Sequence, residues 1–134
     1  MSATPYDRKF FDRQGEASRR SARKVVPVIM AMINPASVVD VGCGVGTWLA
    51  EFIAYGVTDV LGIDGDYVDR ATLQIPVANF EAQNLAAGVA SARRFDLAVS
   101  LEVAEHLPPE SADMFVRSLV ALAPVVAFSA AIPY

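Results

Sequence analysis

The sequence predicts a three-layer α/β domain, a parallel sheet with helices on both faces. Three observations lead there. Short apolar runs rich in β-branched residues recur along the chain, first at Val38, Val39 and Val41, and alternate with segments of helical periodicity. The first run passes through the glycine-rich turn Gly42-Cys43-Gly44-Val45-Gly46 into a helical stretch. The chain has 134 residues and is 54% apolar and 19% charged. Such a chain makes one domain and can bury about two-thirds of its unfolded surface.

The elements follow in order. Residues 15–33 predict a helix on the apolar stripe Ala17, Val25, Val26, Val28, Ile29, Met32 and Ile33. Pro27 lies inside it and predicts a kink or a break into two helices. Asn34-Pro35 ends the helix. Val38 to Val41 is a buried strand. Thr47 to Tyr55 is a helix with Leu49, Phe52 and Ile53 inward and Gly56 as C-cap. Asp59 to Ile63 is a second strand, Asp66 to Leu73 a short helix, and Val77 to Ala82 a weak third strand. Phe95 to Ser100 is the fourth strand. Pro108-Pro109-Glu110 opens a helix to about Leu122, and Val125 to Ala131 is the fifth strand. This alternation is that of right-handed βαβ crossovers. Ligands of such sheets bind outside the carboxyl ends of the strands, where strand order reverses. Residues 1–134 are expected to form a single domain, with 1–34 as an N-terminal helical cap and 36–131 as the core.

Charge is distributed unevenly. Residues 1–24 hold seven Lys or Arg against Asp7, Asp12 and Glu16, whereas the rest holds four Arg against twelve acids. No basic residue stands between Val25 and Asp69. The single cysteine, Cys43, excludes an internal disulfide framework. No apolar run approaches the ~18 residues of a membrane span, and the first residues lack a signal-peptide stretch, so a cytoplasmic protein without a membrane partner is expected.

A strand, a glycine turn and a helix suit a nucleotide-type cofactor, because glycine lets backbone approach a ligand and the new helix offers free N–H groups. Taken alone the turn is also compatible with an ordinary strand–turn–helix. Three features narrow the cofactor. The spacing is Gly42-x-Gly44-x-Gly46, and Thr47 stands where the dinucleotide fingerprint needs its third glycine. Asp40 lies two residues before the first glycine, where its carboxylate would repel a pyrophosphate and attract an ammonium or sulfonium. An ATP-type loop also wants a lysine, and none is near. Asp64 follows Gly42 by 22 residues and closes the second strand. An acid there accepts from ribose hydroxyls, or is a solvated turn acid in Asp64-Gly65-Asp66.

The segments VVDVGCGVGTWL (38–49), VLGIDGD (60–66) and FDLAVSLEVAEHLPP (95–109) together closely resemble class I S-adenosylmethionine-dependent methyltransferases, over about residues 36–131. The resemblance implies a Rossmann-like sheet of order 3-2-1-4-5, here without the two further strands that usually follow. It implies that Asp40, Gly42, Gly44 and Gly46 surround the methionine part and that Asp64 holds the ribose. Gly65, Asn84 and Leu85 would stand near the adenine. The family often has Asp where Asn84 stands, so that contact would lack charge assistance. Cys43, Trp48, Ser100 and Leu101 would belong to the same cofactor site, with Cys43 as a small spacer rather than a nucleophile.

The fourth strand runs into Glu102-Val103-Ala104-Glu105-His106, which holds the chain's only histidine. If the stretch is a helical turn, Glu102, Glu105 and His106 share a face. Two carboxylates and an imidazole would suit Mg²⁺ or Mn²⁺, which would lower the pKa of a substrate hydroxyl. The segment also resembles its counterpart in small-RNA 2′-O-methyltransferases and polyprenyl O-methyltransferases, some of which hold a metal there. Glu102 or His106 as a base without metal, or His106 as a packing residue, are the alternatives.

The expected activity is methyl transfer from S-adenosylmethionine to an oxygen of a small molecule. A cofactor-binding fragment without turnover and an RNA 2′-O-methyltransferase-like enzyme with metal assistance are alternatives; an NAD-type oxidoreductase is disfavoured by the glycine spacing and Asp40. The basic N-terminus permits nucleic acid, but without a recognised RNA module it is not favoured. Tyr6, Phe10, Phe11, Gln14, Ser18 and Arg19 are candidates for a cap over the cofactor. The fifth strand is apolar, uncharged and expected at an edge, which proteins normally avoid exposing. The chain is then a fragment of a longer enzyme or a minimal methyltransferase, and a homo-oligomer that covers this edge is expected.

Overall fold

The computed structural model describes residues 8–131, with side chains from residue 15 onward. Tyr6 lies outside the described residues, as do the side chains of Phe10, Phe11 and Gln14. The valine run forms β1 (Ser37–Val41), buried along its whole length. On one side β1 pairs with β2 (Asp59–Asp64), and β2 with the short β3 (Phe80–Ala82). On the other side β1 pairs with β4 (Leu97–Leu101), and β4 with β5 (Val125–Ser129). All pairs are parallel and the order is 3-2-1-4-5. Asp40 thereby stands in register with Gly62 on one side and Val99 on the other.

Alternation of side chains along the strands creates two cores. Val38, Leu97 and Val99 pack on one face with Ala22 and Val26 of α1 (Arg8–Ile33) and Leu49 and Phe52 of α2 (Thr47–Ala54). Val39, Val41, Ile63 and Ala98 pack on the other with Phe115, Leu119 and Leu122 of α3 (Ala112–Leu122). Strands buried on both faces read as continuous apolar runs, which is why β1 and β4 are legible in the sequence.

Several expectations need correction. α1 passes through Pro27 without a break. The carbonyl that Pro27 leaves without a donor belongs to Arg23, which is exposed, so water can serve it. The buried stripe of α1 is Ala22 and Val26, with Ile29, Met30 and Ile33 packed beside them; Ala17, Val25, Val28 and Met32 face solvent. Ile53 is exposed, not inward. Residues 66–73 form no α-helix, only a 3₁₀ turn at Arg70–Thr72. The Arg70 guanidinium takes the carbonyls of Asp66 and Val68, both at 2.8 Å, and the Asp69 carboxylate takes the Ala71 amide at 2.9 Å. Side chains thus occupy backbone groups that a helix would use. The third strand shrinks to three residues after a 3₁₀ turn at Val77–Asn79. A 3₁₀ turn at Pro109–Ser111 leads into α3, and β5 stops at Ser129. β5 lies at an edge of the described sheet, with Val125 and Phe128 exposed.

The glycine turn is fastened to β2 by close approach. A Cβ at Gly62 would lie 2.7 Å from the Cys43 sulfur and 3.2 Å from Ile75 Cδ1. Gly62→Ala should therefore destabilise the domain by about 1–3 kcal/mol through overpacking. Urea denaturation checks this. Combining it with Cys43→Ala, which removes the sulfur, should cost less than the two single changes added together.

Candidate active site

The carboxyl ends of β1 to β4 border a cleft of about 750 Å³, within the usual range for small-molecule sites. It opens where the strand order reverses between β1 and β4. The turn after β1 contributes Gly42; the end of β2 contributes Asp64, Gly65, Asp66 and Tyr67. The end of β3 contributes residues 82–86, including Asn84 and Leu85. The loop after β4 contributes Glu102, Val103, His106, Leu107 and Pro108. Asp64, Asp66 and Glu102 place three carboxylates on this wall, which has no Lys or Arg among the described residues; Asp66 pairs with Arg70 at 2.8 Å.

The glycine turn is not an open cradle of amides. Gly42 and Cys43 donate to the carbonyl of Ile63 at 2.7 and 3.2 Å, and Gly46 donates to that of Cys43 at 3.0 Å. The Gly44 amide donates to Asp64 Oδ2 at 2.8 Å. All four amides are used within the chain, so the turn offers a phosphate little of what a phosphate loop supplies. Gly42 has φ +88° and a Cβ there would lie 2.3 Å from a methyl of Val103, so only glycine fits. A Cβ at Gly44 would meet nothing within 4 Å; this part of the turn faces open space.

Asp64 is hydrogen-bonded through both of its carboxylate oxygens. Besides Gly44 it accepts from its neighbour's amide, Gly65 N to Oδ1 at 2.7 Å, and from the Tyr67 hydroxyl, also on Oδ1. Desolvation at the hydroxyl end and the bond to Asp64 push the Tyr67 phenol up to about 12. Sequence reasoning missed Tyr67. The only signal for it was an aromatic three residues after the ribose acid, on a segment read as helix.

Asp40 is buried and does not line the cleft. It stands between Val39 and Val41, so strand alternation turns it to the α1 and α2 face. Burial, then the negative charge of Asp64, pushes its carboxyl up to about 8. Cys43 is buried too, and burial pushes its thiol well above the usual range. That environment gives a spacer, not a nucleophile.

Of the other predicted positions, Gly65, Asn84, Leu85, Glu102 and His106 come together in the cleft. Gly44, Gly46, Trp48, Ser100, Leu101 and Glu105 do not line it. Trp48 and Leu101 pack against the core on the α1 and α2 face. Ser100 is fully buried and its hydroxyl has no partner among the described residues. Asn84 Oδ1 accepts from Ala86 N at 3.1 Å and caps a 3₁₀ turn, which fixes the side chain at the cleft wall.

The expected helical turn at 102–106 is absent. Glu102 has φ +57°, and a 3₁₀ turn covers only Ala104–His106. Glu102 and His106 reach the cleft, while Glu105 pairs sideways with His106 Nε2 at 3.7 Å. Among the described residues no three His, Cys, Asp or Glu side chains converge as a metal would require. Glu102, Glu105 and His106 thus do not converge as one three-ligand set.

The family profile described as "Methyltransferase domain" matches residues 11–126. A comparison with curated protein sequences found no match. Solved structures do resemble the chain. One is CalS10, an amino pentose methyltransferase from Micromonospora echinaspora involved in calicheamicin biosynthesis, solved with S-adenosylmethionine bound. Identity is 20% and the TM-score 0.68, covering 92% of this chain and 54% of that one. Another is the methyltransferase domain of bacterial CtHen1-CN, at 21% identity and TM-score 0.63, covering 81% of this chain and 65% of that one. A third is the glycopeptide N-methyltransferase MtfA with sinefungin, at 14% identity and TM-score 0.63, covering 79% and 49%. The chain thus spans about half to two-thirds of the length of these structures, and the likeness is one of fold.

The buried Asp40 makes stability depend on pH. Its folded pKa of about 8 lies above the unfolded value of about 4. The folded state therefore holds a proton that the unfolded state releases between those limits. Its contribution to stability is full below about pH 4 and is lost as pH rises through about 8. Asp40→Asn should remove this dependence. Its melting temperature should exceed that of the unaltered protein by a margin that grows toward pH 8, as scanning calorimetry across pH would measure.

Proposed function

The chain belongs to the methyltransferase-domain family, and on that premise we propose that it binds S-adenosylmethionine in the cleft and transfers its methyl group to an oxygen of a small molecule. The observation that carries this reading is the charge of the cleft wall. Asp64, Asp66 and Glu102 line it, Asp66 paired with Arg70 at 2.8 Å, and no Lys or Arg lines it among the described residues. Such a wall repels a pyrophosphate and attracts a sulfonium and an ammonium. The committed glycine amides support the same choice, since they leave a dinucleotide without its phosphate donors.

Bound cofactor supplies an electrophilic methyl group. The chain supplies position and surroundings. Asp64 accepts from the ribose hydroxyls, and Gly65, Asn84 and Leu85 flank the adenine. Asn84 keeps its NH₂ and one carbonyl lone pair free of the Ala86 bond. Gly42 lines the methionine end of the cleft, and the buried Asp40 stands on β1 two residues before it. Glu102 and His106 stand at the acceptor end, where either can take the hydroxyl proton. Most of the rate comes from orientation and exclusion of water. No step is routed through a metal. An RNA acceptor fits less well, because its phosphodiesters would meet the same three carboxylates. We also propose that a second copy covers the β5 edge, where Val125 and Phe128 are exposed. Sedimentation at micromolar concentration should show a dimer; a monomer sinks that proposal.

S-adenosylhomocysteine should raise the melting temperature and NAD should not; stabilisation by NAD alone overturns the reading. Asp64→Asn should weaken S-adenosylhomocysteine binding about tenfold or more, the loss of roughly 1.5–3 kcal/mol that a charged hydrogen bond supplies. His106→Gln should leave that affinity unchanged and slow methylation of an accepted hydroxyl substrate about a hundredfold, followed by mass spectrometry.

A further inference from the structure

We infer that Tyr67 is a ribose surrogate: its hydroxyl holds the place on Asp64 that a ribose hydroxyl takes, so the cofactor must displace it to bind. The inference rests on the proposed binding of S-adenosylmethionine and adds a positioning residue to that site.

The argument is a count of lone pairs. A carboxylate offers about four acceptor sites. On Asp64 the amides of Gly44 and Gly65 and the hydroxyl of Tyr67 already take three. A ribose diol brings two donors, so one resident donor has to leave. The Gly44 amide belongs to a turn held by the Ile63 carbonyl and by close packing on Gly62. The Gly65 amide is fixed by its neighbour's backbone. The Tyr67 hydroxyl alone can leave by side-chain rotation. Little holds its ring in place, since Tyr67 is 81% exposed.

The ring also lies where a ribose acid's neighbour should leave room. A Cβ on Gly65 would sit 2.1 Å from Tyr67 Cε1 and 2.5 Å from Cδ1. Gly65 therefore admits the ring against the backbone at the cleft mouth, and both residues line the cleft. A phenol on Asp64 gives the buried carboxylate a third donor, which limits the cost of its burial. Exchange then trades one hydroxyl donor for the two of a ribose.

The test compares the unaltered protein with Tyr67→Phe, which keeps the ring and removes the competing donor. Binding of S-adenosylhomocysteine and of adenosine, measured by calorimetry, should tighten about fivefold to tenfold in the variant, with a faster association rate by stopped flow. Binding of 2′,3′-dideoxyadenosine, which has no ribose hydroxyl to compete, should be unchanged by the substitution. General damage to the site would weaken all three ligands and cannot imitate this pattern. Equal or weaker binding of S-adenosylhomocysteine to Tyr67→Phe, when the unaltered protein binds it, overturns the surrogate role alone. Failure of the unaltered protein to bind S-adenosylhomocysteine overturns the cofactor reading and this inference together.

Discussion

The rest of the site depends on the grip of the Asp64 carboxylate on the Gly44 amide, at 2.8 Å. This bond ties the turn after β1 to the end of β2. It places an acceptor-only group at the cleft mouth and spends the amide that a phosphate would want. Asp64 also adds to the burial that raises the Asp40 carboxyl to about 8. Below about pH 8 the folded chain meets this proximity by keeping a proton on Asp40.

The parts of the fold legible in the sequence are those that local patterns decide. Val38 to Val41, the glycine turn and Thr47 onward form strand, turn and helix because burial on both faces, positive φ and helical spacing all write themselves into neighbouring residues. Residues 66–73 failed for the opposite reason. Their helical spacing is real, but Arg70 and Asp69 capture the backbone, and no pattern of apolar residues reports that. Among the residues that line the cleft, Asp64, Asn84 and Glu102 were legible as such because each stands at or just after the carboxyl end of a strand. Trp48 was not: its half-buried ring packs on the core, and a helix position beside a glycine turn does not say which way the side chain leaves. Tyr67 was illegible because its role depends on a hydrogen bond back across Gly65.

The division of labour across the cleft follows from strand position. β1 to β3 supply the side proposed for the nucleoside, with Asp64 and Asn84 held by hydrogen bonds within the chain. The loop after β4 supplies Glu102 and His106, the only side chains of the wall on that side with acid–base chemistry. The structures that share this fold include an amino pentose methyltransferase and a glycopeptide N-methyltransferase. One scaffold thus serves acceptors of different kind, as is general where function resides in a site grafted on a common fold.

The loop after β4 is coupled to the glycine turn by contact. Val103 fills the space that a Cβ on Gly42 would need. Glu102, one residue earlier, is held at φ +57° with its amide on the Ser129 carbonyl at 2.9 Å. A left-handed residue other than glycine is sparsely populated and persists where surrounding structure imposes it. Here β5 imposes it from one side and the packing of Val103 on Gly42 from the other. The result turns the chain out of β4 so that Glu102 and His106 both reach the cleft while Glu105 does not. Val103 thus joins the glycine turn to the loop that carries Glu102 and His106, and both sides of the cleft are positioned at one glycine.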